Sequence, residues 1–201
     1  MLKNKKFLLL FSATFFSSFG DATLFVILLS MLQSLGGSGV STSFYFIFSA
    51  VPVLLFGLHI GAFVENKSLQ KVMIYSDITR ILFLLIFYLY NLLFTQTIFT
   101  IYLLIFLVTF INIFFTTASS TLMPHIVEHS NIPKANSLFR IITMVAKLLS
   151  YSFAALLFYL NVGSNEGLII VTVFYVISFV AISFIRPSFR NRQLSTENPP
   201  F

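Results

Sequence analysis

The chain of 201 residues contains no cysteine, and charged residues make up only 9% of it. Without cysteine there are no disulfide bonds, thiol nucleophiles or cysteine-ligated metal sites. A soluble domain carries about a quarter charged residues. A content this low, beside 58% hydrophobic residues, therefore excludes an ordinary soluble domain. What the sequence has instead is long apolar runs rich in phenylalanine, with 27 Phe in all, and Phe is well suited to face lipid.

Six apolar runs are long enough to cross a bilayer as helices, which takes roughly 20 mostly apolar residues. The runs are continuous rather than alternating, unlike the strands of a membrane barrel. We therefore predict an all-α membrane protein with six transmembrane helices and a polar cytoplasmic tail or linker stub at 187–201. The predicted spans are about 7–33, 42–63, 73–94, 98–118, 136–160 and 166–186.

Lysine and arginine are distributed unevenly around these spans. Eleven of the twelve fall on one side of the membrane, and the first, third and fifth connections carry none. The eleven are Lys3, Lys5, Lys6, Lys67, Lys71, Arg80, Lys134, Arg140, Arg186, Arg190 and Arg192. The positive-inside rule then predicts that both termini are cytoplasmic. The formal charge of +6 is better explained by orientation signals and contacts with lipid headgroups than by nucleic acid.

Two ionisable residues are expected at mid-membrane, where a charge costs several kcal/mol unless it faces protein or water. At 1.5 Å per residue, Asp21 lies about 21 Å and Lys147 about 16 Å above the cytoplasmic edge. Lys147 can reach Asp21 if their helices face each other, which makes the two a candidate proton-exchanging pair on a solute pathway. Two other interpretations stay open: a charge pair that only locks the helices, and a Lys147 that extends toward an interface.

The remaining polar residues give weaker signals. Asp77 and Arg80 are three apart at the start of the third span and are expected to form an exposed cytoplasmic pair that orients the span. Tyr45, Tyr102 and Asn112 are weak candidates for lining a cavity, since a buried polar group needs a partner.

His125, Glu128 and His129 fit an H-x-x-E-H pattern. They lie in a short loop beside a proline, without a third ligand, and are expected to form a solvated turn. We expect no metal, no cofactor and no enzymatic activity, because the spans hold no catalytic constellation.

The second turnaround reads Gly61-Ala-Phe-Val-Glu65-Asn-Lys67-Ser-Leu-Gln-Lys71 and runs on to Asp77 and Arg80. It resembles the signature loop between the second and third helices of the major facilitator superfamily. Phe19-Gly-Asp-Ala22, Leu122-Met-Pro-His-Ile-Val127 and Ala135-Asn-Ser-Leu138 resemble the drug- and macrolide-efflux-like branch. The resemblance covers the chain only as the amino-terminal six-helix half of a twelve-helix protein.

The resemblance implies a gating role for the loop residues and a cavity position for Asp21. The gating candidates are Gly61, Glu65, Lys67, Lys71, Asp77 and Arg80, with Gly61 permitting close backbone approach. The loop departs from the family pattern at Glu65, Asn66 and Ser68, and the fourth span lacks an arginine that many proton-coupled members carry.

Two hypotheses follow. The first is a bacterial plasma-membrane secondary transporter that exports a small molecule by alternating access, as a half-length chain that works with a second six-helix half or as a homodimer. The second is a non-transporting membrane protein, either a truncated remnant or an interaction or immunity factor acting on another permease.

Overall fold

The structure is a computed structural model and describes residues 5–36 and 39–185. The predicted tail at 187–201 lies outside the described residues. The described part is helical, with a short 3-10 turn at His129–Asn131 and no strand. The helices are α1 (Lys5–Ser34), α2 (Gly39–Glu65), α3 (Leu69–Leu93), α4 (Ile98–Ile126), α5 (Ile132–Tyr159) and α6 (Ser164–Ser183). All six are long and apolar enough to cross a membrane, so the predicted six-helix fold class is confirmed.

Three helices extend four or more residues past their predicted bounds, among them α5, which begins at Ile132 rather than at 136. α3 begins at Leu69 rather than at 73, which puts Asp77 and Arg80 two to three turns inside the helix. α4 continues beyond 118 to Ile126, through a run of serines and threonines that the prediction assigned to a loop. Their hydroxyls bond back to carbonyls of the preceding turn, as Ser120 does to Thr117, so polar residues remain helical here.

Tight turns connect the helices at the end opposite the α2–α3 loop. Thr97 caps α4 reciprocally with Thr100, which satisfies free amides at the start of the helix. Asn161 adopts a left-handed φ of 55° between α5 and α6, a conformation that asparagine tolerates better than most residues. α3 and α4 pack as antiparallel neighbours across the first of these turns. α5 and α6, joined by the second turn, each pack on α1 instead of on each other.

The packing pattern repeats between the first three helices and the last three. α1 is the most buried helix and packs on α4, α5 and α6, while α4 packs on α1, α2 and α3. Exchanging α1 with α4, α2 with α5 and α3 with α6 reproduces these pairings, including the contact between α3 and α6. Because each repeat has three helices, the two run in opposite directions through the membrane, as inverted repeats do.

The apolar core is split in two by a polar layer. One cluster, around Leu28 and Leu104, fills the end of the bundle near the α3–α4 turn. The other, around Leu10 and Met123, fills the end near the α2–α3 loop. Between them α1, α3, α4 and α6 bring polar side chains together, and the candidate site lies there.

Candidate functional site

Arg80 is the centre of the polar layer and is fully buried. Its Nη1 donates to Asp21 Oδ1 over 2.9 Å, and its Nη2 donates to Asp77 Oδ1 over 2.5 Å. Nη2 also lies 2.9 Å from Ser17 Oγ. The guanidinium thus joins α3 to α1 through Asp21 and Ser17, and it also binds Asp77 on its own helix. We call Asp21, Asp77 and Arg80 the charge cluster.

Two aromatic rings enclose the guanidinium from its sides. Its central carbon lies 4.7 Å from the ring centroid of Phe115 and 4.5 Å from that of Tyr175. Both are within the range of a cation–π interaction, which strengthens when the cation is desolvated. Arginine suits this position because its planar fork reaches two acids while its faces stack on rings.

Each carboxylate of the charge cluster also accepts hydrogen bonds from neutral groups. Asp21 accepts from Tyr175 Oη at 2.7 Å on Oδ1 and from Asn112 Nδ2 at 3.0 Å on Oδ2. Asp77 accepts from Ser178 Oγ at 2.7 Å. Buried charges are tolerated when they are paired and hydrogen-bonded in this way. With both acids ionised, the cluster keeps a net charge of −1, since it holds one arginine and two aspartates.

The two acids differ in their access to the surroundings. Asp77 is fully buried, whereas the Asp21 side chain keeps 21% of its surface exposed. Asp21 faces two adjoining grooves, and both are also lined by Ser18, Thr116 and Thr143. Asp21 is therefore the carboxylate of the cluster that a solute or water can reach.

The larger groove, of ≈ 460 Å³, lies between α1, α4, α2 and α5, and we call it the central groove. Asp21 and Asn112 lie on one side of it, Lys147 on α5, and aromatic rings line it toward the α3–α4 end. The rings are Phe25, Tyr45 and Tyr151. Its volume is within the range of small-molecule sites.

The smaller groove, of ≈ 290 Å³, runs from Asp21 along α1, α4 and α5 toward the end of the bundle that holds the α2–α3 loop. We call it the hydroxyl groove because serines and threonines line it, with Arg140 and Asn136 on its α5 side. The hydroxyl residues are Thr14, Ser17, Ser18, Thr116, Ser119, Ser120 and Thr143. It offers a polar route from the predicted cytoplasmic end to Asp21.

The predicted pairing of Asp21 with Lys147 is wrong. Asp21 is bonded to Arg80, Tyr175 and Asn112, and Lys147 forms no ion pair among the described residues. The physical reason is the depth of Arg80, which places a guanidinium beside Asp21 from α3. Both predicted residues do line the central groove, so a shared groove without a direct bond replaces the pair.

The expectation of an exposed Asp77–Arg80 pair at the cytoplasmic surface is also wrong. Both residues are fully buried. Arg80 is eleven positions after Leu69, the first residue of α3, about 17 Å along the helix. It is therefore no orientation signal, and the charge asymmetry depends on the remaining cations outside the spans. Asp77 and Arg80 also lie too deep to belong to the loop.

The other loop candidates remain at the surface. Glu65 ends α2, Lys67 lies in the turn with its ammonium 5.3 Å from the Phe63 ring, and Lys71 is in the first turn of α3. Within the described ranges, none of the three forms an ion pair. The close backbone approach expected at Gly61 is absent, because a Cβ there would meet nothing within 4 Å.

Two of the three weak cavity candidates line the central groove, and the third does not. Asn112 and Tyr45 line the central groove, and Asn112 also holds Asp21. Tyr102 does not line it; its hydroxyl donates to the Ser41 carbonyl over 2.9 Å and its ring stacks on Phe48, which fastens α4 to α2. A phenol that pairs with a backbone carbonyl is satisfied without a cavity.

Sequence reasoning missed Ser17, Ser178 and Tyr175 as members of the site. Helical spacing carried a usable signal, because Ser17 and Asp21 are four apart and Tyr175 and Ser178 three apart, each pair on one helix face. Nothing in the sequence says that these two faces meet the Arg80 face of α3. The described residues hold no cluster of acids and histidines suited to a metal ion.

The family model described as Major Facilitator Superfamily matches residues 10–200. The chain belongs to the major facilitator superfamily. Its members are membrane transporters, and six all-helical spans with a three-plus-three packing pattern correspond to one half of that fold. Among curated proteins, none matches this chain. The charge cluster of this facilitator half lies between its two apolar core clusters, with Arg80 about 17 Å along α3 from Leu69.

Proposed function

We propose that the chain is a secondary active transporter that exports a small molecule across a bacterial plasma membrane by alternating access. The observation that carries the proposal is a cluster of two acids and one arginine at mid-helix whose Asp21 faces a groove. Ionisable groups inside a membrane are costly, and where they occur they mark solute or proton pathways. Membership of a transporter family supports the same function.

Asp21 is the proposed proton-exchanging or solute-contacting residue. Its side chain is 21% exposed in the grooves. Asp21 belongs to α1 and accepts hydrogen bonds from side chains of α3, α4 and α6, so it connects four helices. A change in its protonation or occupancy alters hydrogen bonds on all of these helices at once. Such a residue can couple solute binding to a rearrangement of the bundle.

The second half of the transport pathway comes, in this proposal, from another six-helix unit. Substrates of this fold bind between two halves related by an axis along the membrane normal. α2 and α5, which flank the central groove, are the least buried helices of the described bundle. An even number of spans lets a second copy, or a separate half, lie beside this one in the same orientation.

The function is tested by untargeted mass spectrometry of the growth medium. Cells expressing the wild type are compared with cells expressing Asp21→Asn and Glu166→Gln, at equal amounts in the membrane. We expect at least one small molecule to be enriched in the medium by the wild type and by Glu166→Gln but not by Asp21→Asn. Glu166, at the start of α6, is a matched acid outside the charge cluster.

If expression of the wild type enriches no small molecule in the medium, the transport proposal is contradicted and a non-transporting membrane protein is favoured. Enrichment that survives Asp21→Asn leaves a transporter but removes Asp21 from its pathway.

A further inference from the structure

Lys147 lies on the wall of the central groove and forms no ion pair within residues 5–36 and 39–185. It lies near the middle of α5, about 22 Å from Ile132 and about 18 Å from Tyr159 along the helix axis. No acid among the described residues pairs with it, because the nearest candidate on the groove, Asp21, is bonded to Arg80. Lys147 is exposed on the groove, and an ammonium at this depth is costly unless water or an anionic or polar group meets it.

Across the same groove, Asp21 keeps capacity to accept one more hydrogen bond. A carboxylate has about four acceptor positions. Arg80 and Tyr175 occupy Oδ1, while Asn112 alone occupies Oδ2. The side chain is also partly exposed, so a donor in the groove can reach it.

The two walls therefore present opposite charges to a solute. With its two acids ionised, the charge cluster that includes Asp21 has a net charge of −1, and a protonated Lys147 has a charge of +1. A solute with only a positive charge is attracted to Asp21 but repelled by Lys147. A solute with only a negative charge is attracted to Lys147 but repelled by Asp21. A solute that carries both charges satisfies both walls, and such complementarity gives specificity.

We propose that the central groove binds a small zwitterion, with its acidic group on Lys147 and its ammonium group on Asp21. Phe25, Tyr45 and Tyr151 offer rings for an apolar portion of the same molecule. This inference rests on the proposed transport function, because it names the class of substrate that the same groove would bind.

Binding is measured apart from transport, with the purified full chain in lipid nanodiscs and the shift of its thermal unfolding midpoint. The probes are the standard amino acids, each at neutral pH. For the amino acid that binds best, two comparison ligands follow: the amine that lacks its carboxylate and the acid that lacks its ammonium. We expect each comparison ligand to bind at least about tenfold more weakly, since each loses one charge-assisted contact.

Variants then assign the contact. Lys147→Met should abolish the advantage of the amino acid over its amine, while binding of the amine itself is kept or improved. Lys134→Met is the matched control, because Lys134 is exposed at the start of α5 and lines neither groove. It should leave all affinities unchanged.

The proposal is overturned if no amino acid binds, if either comparison ligand binds as well as the zwitterion, or if Lys147→Met changes nothing. Its failure is distinguishable from failure of the transport proposal. Export of a molecule without both charges refutes the zwitterion while transport stands. Zwitterion binding without any export refutes transport while the site stands.

Discussion

Arg80 holds the polar layer together, because it pairs with the buried Asp77 and the partly exposed Asp21 and lies between two rings. Its surroundings need more than a positive charge: they need a planar group with at least two donor nitrogens. Nη1 and Nη2 serve acids on different helices, and both faces of the guanidinium contact aromatic carbon. A lysine has one nitrogen and no plane, so it cannot reproduce these contacts.

We expect Arg80→Lys to lower the free energy of unfolding by about 1–3 kcal/mol and Arg80→Met by about 3–5 kcal/mol. The larger figure is typical of a buried charge left without its partner. The measurement is unfolding in mixed detergent micelles followed by circular dichroism. Arg140→Lys is the control; Arg140 is exposed, so a change within about 0.5 kcal/mol is expected. Equal effects of Arg80→Lys and Arg140→Lys would show that the guanidinium contacts contribute nothing.

Prediction from the sequence succeeded for some residues and failed for their partners. Asp21 was recognised as an intramembrane charge because an acid inside an apolar run is rare and costly. Its partner was assigned to Lys147 because Arg80 was placed at the membrane surface, near an assumed start of α3 at 73. A helix boundary four residues earlier moves Arg80 by about 6 Å, roughly one turn. A sequence therefore does not decide whether a charged residue near the end of a span lies at the membrane surface or inside the bundle.

At the scale of the helices, close contact between α1 and α6 positions Asp21 beside Tyr175. Gly20 lies at this contact, where a Cβ would come within 3.1 Å of Tyr175 Cε1 and 3.4 Å of Phe174 Cβ. Small residues at helix interfaces let backbones approach in membranes. The sequence-based expectation of such an approach fell on Gly61, whose surroundings are open. A glycine in a sequence does not reveal whether another helix lies against it. The sequence therefore cannot show that Gly20 is at a helix contact and Gly61 is not.

We expect Gly20→Leu to destabilise the bundle by about 1–3 kcal/mol, because an inserted side chain must push α6 away from α1. Gly61→Leu, the same substitution at an open position, should be neutral or slightly stabilising through better helix propensity. Unfolding in mixed micelles measures both. A larger loss from Gly61→Leu than from Gly20→Leu would contradict the packing described between α1 and α6.

Over the whole molecule, the inverted three-helix repeats account for the placement of the site. The paired helices α1 and α4 supply Asp21 and Asn112, and the paired helices α3 and α6 supply Arg80 and Tyr175. The pseudo-symmetric exchange of the repeats thus brings one polar residue from each of four helices to the same depth. α2 and α5 stay outside this centre and form the sides of the central groove.

The number of helices and the fold class could be predicted because apolar run length is a property of each segment by itself. The repeat could not, because no short motif is shared between the two halves and packing depends on which faces meet. The orientation of the bundle in the membrane remains a prediction from the distribution of lysine and arginine outside the spans.

Single cysteines test that orientation, and the natural chain has none to interfere. Asn66→Cys lies in the α2–α3 turn and Thr95→Cys in the α3–α4 turn. We expect a membrane-impermeant maleimide applied to intact cells to label Thr95→Cys but not Asn66→Cys, and to label Asn66→Cys after permeabilisation. The reverse pattern would place the termini outside the cytoplasm.

Alternating access is the central claim, and labelling of Thr143→Cys tests it most directly. Thr143 lines both grooves beside Asp21 and bonds only to carbonyls of its own helix, so its replacement disturbs little. Thr79→Cys is the matched control on α3, since Thr79 also bonds back to its own helix and lies outside both grooves. In sealed vesicles of each orientation, an impermeant maleimide should label Thr143→Cys from both sides of the membrane and Thr79→Cys from neither. Labelling of Thr143→Cys from one side only would contradict alternating access.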